Sequence, residues 1–338
     1  MTDLRTKYLG LSLRSPLVAS SSPLCDSVEN IVRLEDHGVA AVVLPSLFEE
    51  QLELENASVD HDVARGSESF AEALSFFPDM QTYNLGPDRY LDLIRRSKDR
   101  VEIPVIASLN GVTAGGWTQY ARLMEQAGAD AIELNIYAIA TDPRQTGEDV
   151  ERGLRELVAE VRRSLRIPMA VKLSPFFSAP ANMVLRLDQA GADALVLFNR
   201  FYQPDFNIDD LEVVATLSLS RPEELLLRLH WVAILYGRVR ADLGITGGVH
   251  GAEDVVKCVM AGARVAFMAS ALLNNGIGHA GRVLCDLGRW LEAHEYASIA
   301  EMCGSMSYDA VPDVNAYERG NYMKVLSSYT LKTGALRD

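Results

Sequence analysis

An internal echo constrains this sequence more than any other feature. The segment QAGADAIELN at 126–135 returns as QAGADALVLFN at 189–199, and the same grammar recurs in DHGVAAVVLPS at 36–46 and MAGARVAFMAS at 260–270. In each, an amphipathic stretch ends at a glycine (Gly38, Gly128, Gly191 or Gly262) and an apolar run follows at once. Glycine there suits a helix end that needs a left-handed backbone, so each copy reads as helix, cap, strand. Between the copies lie PLVAS (16–20), PVIASLN (104–110), PMAVKLSP (168–175) and DLGITGGV (242–249), short apolar runs that also follow helical segments. That makes eight strands alternating with helices. Continuous apolar runs are strands buried on both faces, and strand–helix alternation pairs them in parallel. An α/β fold is predicted, a closed (β/α)8 TIM barrel, with an open doubly wound sheet as the alternative.

The 338 residues fit one barrel domain spanning 1–338, with an N-terminal extension at 1–15 and insertions at about 47–86 and 200–220. Both insertions leave C-terminal strand ends, where long loops wall or cover an active site; oligomer contacts or solvent-exposed decoration are the other reading. With 32 Lys+Arg against 46 Asp+Glu the formal charge is −14, which argues against nucleic acid as a partner. The N-terminus MTDLRTKYLG lacks the apolar stretch of a signal peptide, and the most apolar later segment is interrupted by Arg228 and His230, so a cytoplasmic protein without a membrane anchor is expected. Cys25, Cys258, Cys285 and Cys303 form no CxxC pair, and the six histidines show no HxH or HExxH spacing. No metal is expected.

Polar residues collect at strand ends. Asn110 ends the third strand, Asn135 and Lys172 lie near the ends of the fourth and fifth, and Asn199 ends the sixth. All four point to the C-terminal face, which carries the chemistry in this fold. After the seventh strand comes Thr246-Gly247-Gly248-Val249, and after the eighth Met268-Ala269-Ser270. Small residues let backbone N–H groups approach an anion, and a following helix adds partial positive charge, so a phosphate-bearing ligand is implied.

These residues resemble the dihydroorotate dehydrogenase family, specifically its soluble class 1 branch and the related flavin domain of dihydropyrimidine dehydrogenase. The similarity runs from PLVASSS at 16–22 to SALLNNG at 270–276, and is strongest in NLGPDRYLDLI at 84–94, ELN at 133–135, AVKLSPFF at 170–177 and ITGGV at 245–249. The resemblance implies FMN, a small-molecule substrate and a homodimer. It places flavin contacts on Ala19, Ser20, Ser46, Asn110, Asn135, Lys172, Gly247, Gly248, Ala269 and Ser270, and substrate contacts on Asn135 and Asn199. Lys172 becomes the candidate cation that stabilises the negative charge left when hydride reaches the flavin; pairing with a barrel carboxylate such as Glu133 is its other reading.

The family pattern fails at the substrate. Where class 1 enzymes carry a cysteine base in Asn-Leu-Ser-Cys-Pro-Asn, this sequence reads Asn135-Ile136-Tyr137-Ala138-Ile139-Ala140, and alanine accepts no proton. The lysine expected after the second strand is Pro45, the asparagine before the Met-Gly-Leu-Pro stretch is Pro78, and the second asparagine of the strand-four loop is Ala140. Thr141 and Tyr137 are the foremost replacement bases, with Asp142 beside the same loop and Cys25 after the first strand on the same face; a structural role is the other reading of each. Three functions stay open: a dihydroorotate dehydrogenase of pyrimidine biosynthesis; a flavoprotein of that scaffold with another substrate, or an electron-transfer or binding module beside a redox partner; and an unrelated phosphate-binding aldolase or isomerase using Lys172 as a Schiff base.

Overall fold

The structure is a computed structural model that describes residues 2–48, 86–111, 114–136, 139–200, 204–214, 217–319 and 321–328. A two-stranded antiparallel hairpin, β1 (Thr6–Tyr8) and β2 (Leu11–Leu13), leads into β3 (Leu17–Ala19), β4 (Val42–Phe48), β5 (Val105–Gly111), β6 (Ala131–Ile136), β7 (Met169–Leu173) and β8 (Ala194–Leu197). A second antiparallel hairpin, β9 (Asp205–Asn207) and β10 (Glu212–Val214), precedes β11 (Asp242–Thr246) and β12 (Val265–Met268). Strands β3 to β8, β11 and β12 pair in parallel in chain order, and β12 returns to β3. The closed barrel is therefore present, and the open-sheet alternative is excluded.

The repeated glycines do what the echo requires. Gly38, Gly128, Gly191 and Gly262 have φ of 90°, 101°, 105° and 117°, each in the left-handed region at the end of a helix. At Gly262 space is limiting as well as conformation. A Cβ there would lie 2.3 Å from Cδ2 of Tyr236.

Because side chains alternate across a strand, each barrel strand feeds two cores. One set packs outward against the helices. The other fills the barrel: Val18, Val43, Ile106, Ala131, Ala170, Ala194, Val196, Val265 and Phe267 pack with Tyr8, Leu9 and Leu13 of the N-terminal hairpin. The Tyr8 ring meets Phe267 edge-on, with centroids 5.9 Å apart. Leu9 donates its N–H to the Asp242 carboxylate at the start of β11, and the Thr6 hydroxyl donates to the carbonyl of Arg264 just before β12. The N-terminal extension is thus the plug of the barrel floor.

Element boundaries differ from the sequence reading in three places. β4 runs to Phe48, two residues into the expected 47–86 insertion, and the next described helix begins at Pro87; residues 49–85 lie outside the described residues. Pro45 lies within that strand, where the β4–β5 register shifts between Val43 and Ser46, since proline has no N–H for the ladder. Asn199 falls beyond the end of β8, because the pairing stops at Leu197, and the 200–220 insertion carries the β9–β10 hairpin. Among the described residues no helix is long and apolar enough to cross a membrane.

Gly262→Ala should destabilise the fold by about 2 kcal/mol or more, from left-handed strain plus the Tyr236 clash. Gly153→Ala, in the helix Gly147–Ser164 with open space around it, should instead stabilise by about 0.5–1 kcal/mol. Urea midpoints of the two variants check the contrast.

Candidate flavin site at the C-terminal face

The inward side of the barrel turns polar toward the C-terminal ends of its strands. In β6, Ala131, Glu133 and Asn135 share the inward face; in β7, Ala170 and Lys172 do. Register sets their heights: Asn110 stands beside Asn135, Asn135 beside Lys172, and Lys172 beside Val196. One level lower, Ser108 stands beside Glu133. Lys172 Nζ lies 3.3 Å from Glu133 Oε1, with the two side chains only 8% and 2% exposed. The pairing with Glu133 is therefore present, and the same lysine also lines a cavity.

That cavity, of about 210 Å³, opens among Ser20, Lys172, Asn199, Thr246, Gly247, Gly248, Ala269 and Ser270. Gly247 and Gly248 have φ of 91° and 82°, a backbone that L side chains rarely adopt. A Cβ on Gly248 would come within 2.4 Å of the backbone nitrogen of Leu225, so no other residue fits without moving the chain. Ser220, from the insertion after β8, closes this end. Its N–H donates to Ser270 Oγ at 3.0 Å and its hydroxyl accepts the Gly248 N–H at 3.4 Å. Ser20 Oγ is 3.5 Å from Thr246 Oγ1. Hydroxyls, amide N–H groups and small residues at one end of a cavity with an ammonium in its wall are a donor set suited to a phosphate-bearing, electron-accepting ring.

Sequence reasoning missed two supports of this cradle. Arg228, 6% exposed, sends its guanidinium to the carbonyls of Thr246, Phe198 and Glu224, tying the ends of β8 and β11 together. Its signal was a charge inside the apolar stretch LLLRLHWVAIL, read only as an interruption. Ser220 had no local signal, because its partners are 28 and 50 residues away.

The remaining sequence candidates divide clearly. Ala19 is buried on β3 beside Ser20. Ser46 and Asn110 do not line the cavity; Ser46 shares a 2.8 Å hydrogen bond with Ser108, which Tyr90 clamps by accepting its N–H. Asn135 reaches the cavity through Asn199, whose Nδ2 donates to Asn135 Oδ1 at 2.9 Å. Thr141 is exposed, and Asp142 is held in a forked pair by Arg144 that keeps its carboxyl below the ordinary carboxylate range. Cys25 is fully buried, which pushes its thiol up to about 12 and favours its structural reading over a role as base. Tyr137, Ala138 and Pro78 lie outside the described residues.

The dihydroorotate dehydrogenase family pattern matches residues 69–291. The catalytic subunit of dihydroorotate dehydrogenase B (NAD(+)) from Thermoplasma acidophilum is 27% identical over 312 residues, covering 90% of this chain and 99% of that protein. The NAD-dependent dihydropyrimidine dehydrogenase subunit PreA of Escherichia coli K12 is 24% identical over 331 residues, covering 92% of this chain and 78% of that subunit. A putative dihydroorotate dehydrogenase A (fumarate) from Aeropyrum pernix is 27% identical over 220 residues, covering 63% and 70%. Barrel topology, the strand-end polar tier and the match over most of the chain agree: the chain belongs to the dihydroorotate dehydrogenase family, flavin-dependent oxidoreductases of CH–CH groups whose members generally bind FMN.

Proposed function

We propose that the whole chain, 1–338, is one FMN-binding domain that oxidises or reduces a CH–CH bond of a small molecule, and that its substrate is not dihydroorotate. The observation that carries this reading is the single cavity joining Lys172 to the small-residue cradle of Gly247, Gly248, Ala269 and Ser270. When bound, FMN supplies a two-electron acceptor for hydride from the substrate. Ser20, Ser270 and the glycine amides would hold its phosphate, with Asn135 toward the ring; Ser46 and Asn110, which the family resemblance implies as flavin contacts, stand on neighbouring strands outside the cavity lining. Lys172 would supply positive charge to that ring, and burial makes this charge count for more than it would in water.

The change of substrate follows from side chains. Orotate, a planar dione carboxylate, needs convergent polar partners, and each buried group left unpaired costs roughly 1–3 kcal/mol. Buried Pro45 offers no side-chain donor and Ala140 none either, while Asn135 Oδ1 already accepts a hydrogen bond from Asn199 Nδ2. Thr141 and Tyr137 are the proposed proton acceptors in place of the family's cysteine. The Schiff-base reading of Lys172 is disfavoured, because its amine is engaged as the cation of a buried ion pair. Electrons leave to a soluble oxidant or to a partner protein, in keeping with relatives named as catalytic subunits. Phe206, Ile208, Leu211 and Val213 on the β9–β10 hairpin are exposed apolar side chains of the kind that interfaces bury, which supports a homodimer. We place the protein in the cytoplasm.

Purified protein should be yellow and release one FMN per chain on denaturation; colourless protein that cannot be reconstituted would refute the flavin reading. Lys172→Met should weaken FMN and lower its reduction potential, each 1.4 kcal/mol of lost stabilisation corresponding to about 30 mV for two electrons. Because Glu133 is then left unpaired, the double variant Lys172→Met/Glu133→Gln separates lost charge from lost folding. Under anaerobic conditions dithionite should bleach the flavin normally and dihydroorotate slowly or not at all, since a missing base alone costs about 10²–10⁴ in rate. At pH 8, iodoacetamide should label exposed Cys285 and leave Cys25 unmodified until the protein unfolds, as a thiol pushed up to about 12 carries almost no thiolate there.

A further inference from the structure

We propose that the floor of the barrel, opposite the flavin cradle, carries a binding site for a small molecule bearing a di- or triphosphate group. A cavity of about 830 Å³ opens there between the outer face of the β1–β2 hairpin and the chain around Arg264 and Cys303. This is within the range of small-molecule sites, about 300–1,000 Å³. Arg5, Lys7, Arg14 and Arg264 line it, against two carboxylates, Asp3 and Asp242.

The hairpin gathers these cations on one face. Lys7 pairs with Ser12 across the ladder and Thr6 with Leu13, and Arg5 and Arg14 are the residues that immediately flank that last pair. Tyr8 and Leu13 turn inward and are buried; Lys7 and Ser12 turn outward and are exposed. Arg5, Lys7 and Arg14 all line the cavity from this one hairpin and its flanks. Their concentration runs against the composition, in a chain with formal charge −14.

Compensation within the cavity is incomplete. Arg5 is paired with Asp3 at 2.7 Å and Arg264 with Asp242 at 3.5 Å. Arg14 donates to the backbone carbonyls of Glu35 and Val39, which hold the guanidinium in place without cancelling its charge. Lys7 has no carboxylate partner among the described residues. Two uncompensated cations in a concave site, with two more in ion pairs beside them, fit a multiply charged anion better than a monocarboxylate. The negative field of the remaining chain disfavours a large polyanion such as nucleic acid.

Titration calorimetry with inorganic pyrophosphate tests the site, on protein as purified and with added FMN. One saturable site is expected, insensitive to FMN and weakening as sodium chloride is raised. Lys7→Glu, an exposed change that should leave the melting temperature unaltered, should weaken binding by about tenfold or more, with Lys7→Gln intermediate. Absence of binding at low salt, or equal binding by wild type and Lys7→Glu, would overturn the proposal. So would binding that is displaced by FMN or lost in Ser270→Ala, since it would then belong to the cradle at the other end.

Discussion

A buried ammonium and a buried carboxylate face each other inside the barrel, and the site is organised around their contact. Neither Lys172 nor Glu133 has appreciable access to water, so each is the other's oppositely charged neighbour in place of solvent. Removing one partner of such a pair costs about 3–5 kcal/mol, whereas the intact pair contributes little net stability. Its presence beside a barrel interior packed mainly with apolar side chains therefore points to use rather than to packing. Closure from below makes the arrangement possible. Tyr8, Leu9 and Leu13 seal the floor, leaving the polar half of the interior to open only toward the C-terminal face.

The cradle depends on a second buried charge. Arg228 holds the carbonyls where β8 and β11 end, and a Cβ on Gly247 would meet its guanidinium at 2.9 Å. Glycine at 247 thus answers to the arginine behind it as much as to any ligand in front, and Gly248 answers to the backbone of Leu225. The tight turn and the helix Leu225–Leu235 constrain each other. Ser220 then brings the insertion after β8 over this turn, so the loop that decorates the barrel also completes the site.

The fold was legible because it is written in local chemistry. A glycine after an amphipathic stretch and before an apolar run is a cap whatever surrounds it, and the four repeats of that signal fix the period of the barrel. The placement of Asn135 and Lys172 was legible for a related reason, since a polar residue near the end of a buried strand has few places to point, whereas Asn110 stands beside Asn135 but outside the cavity lining. What could not be read depends on distant partners. Arg228 bonds carbonyls from three separate segments, Ser220 bridges to Gly248 and Ser270, and the charged N-terminal extension gave no sign of its buried face. The burial of Cys25, which favours its structural reading over a role as base, is likewise a property of packing.

Family membership sets the barrel, and the proposed reading divides its C-terminal face into residues suited to a flavin and positions that lack the side chains expected for orotate. Pro45 and Ala140 cannot donate a side-chain hydrogen bond, and the Asn199 amino group already donates to the Asn135 side-chain oxygen. A titration of FMN-loaded protein with orotate, followed through the flavin absorption bands, tests that division most directly. No spectral perturbation is predicted up to millimolar orotate, while the bands themselves report bound flavin throughout. A saturable shift at micromolar orotate would contradict the account and return the chain to the substrate of its relatives.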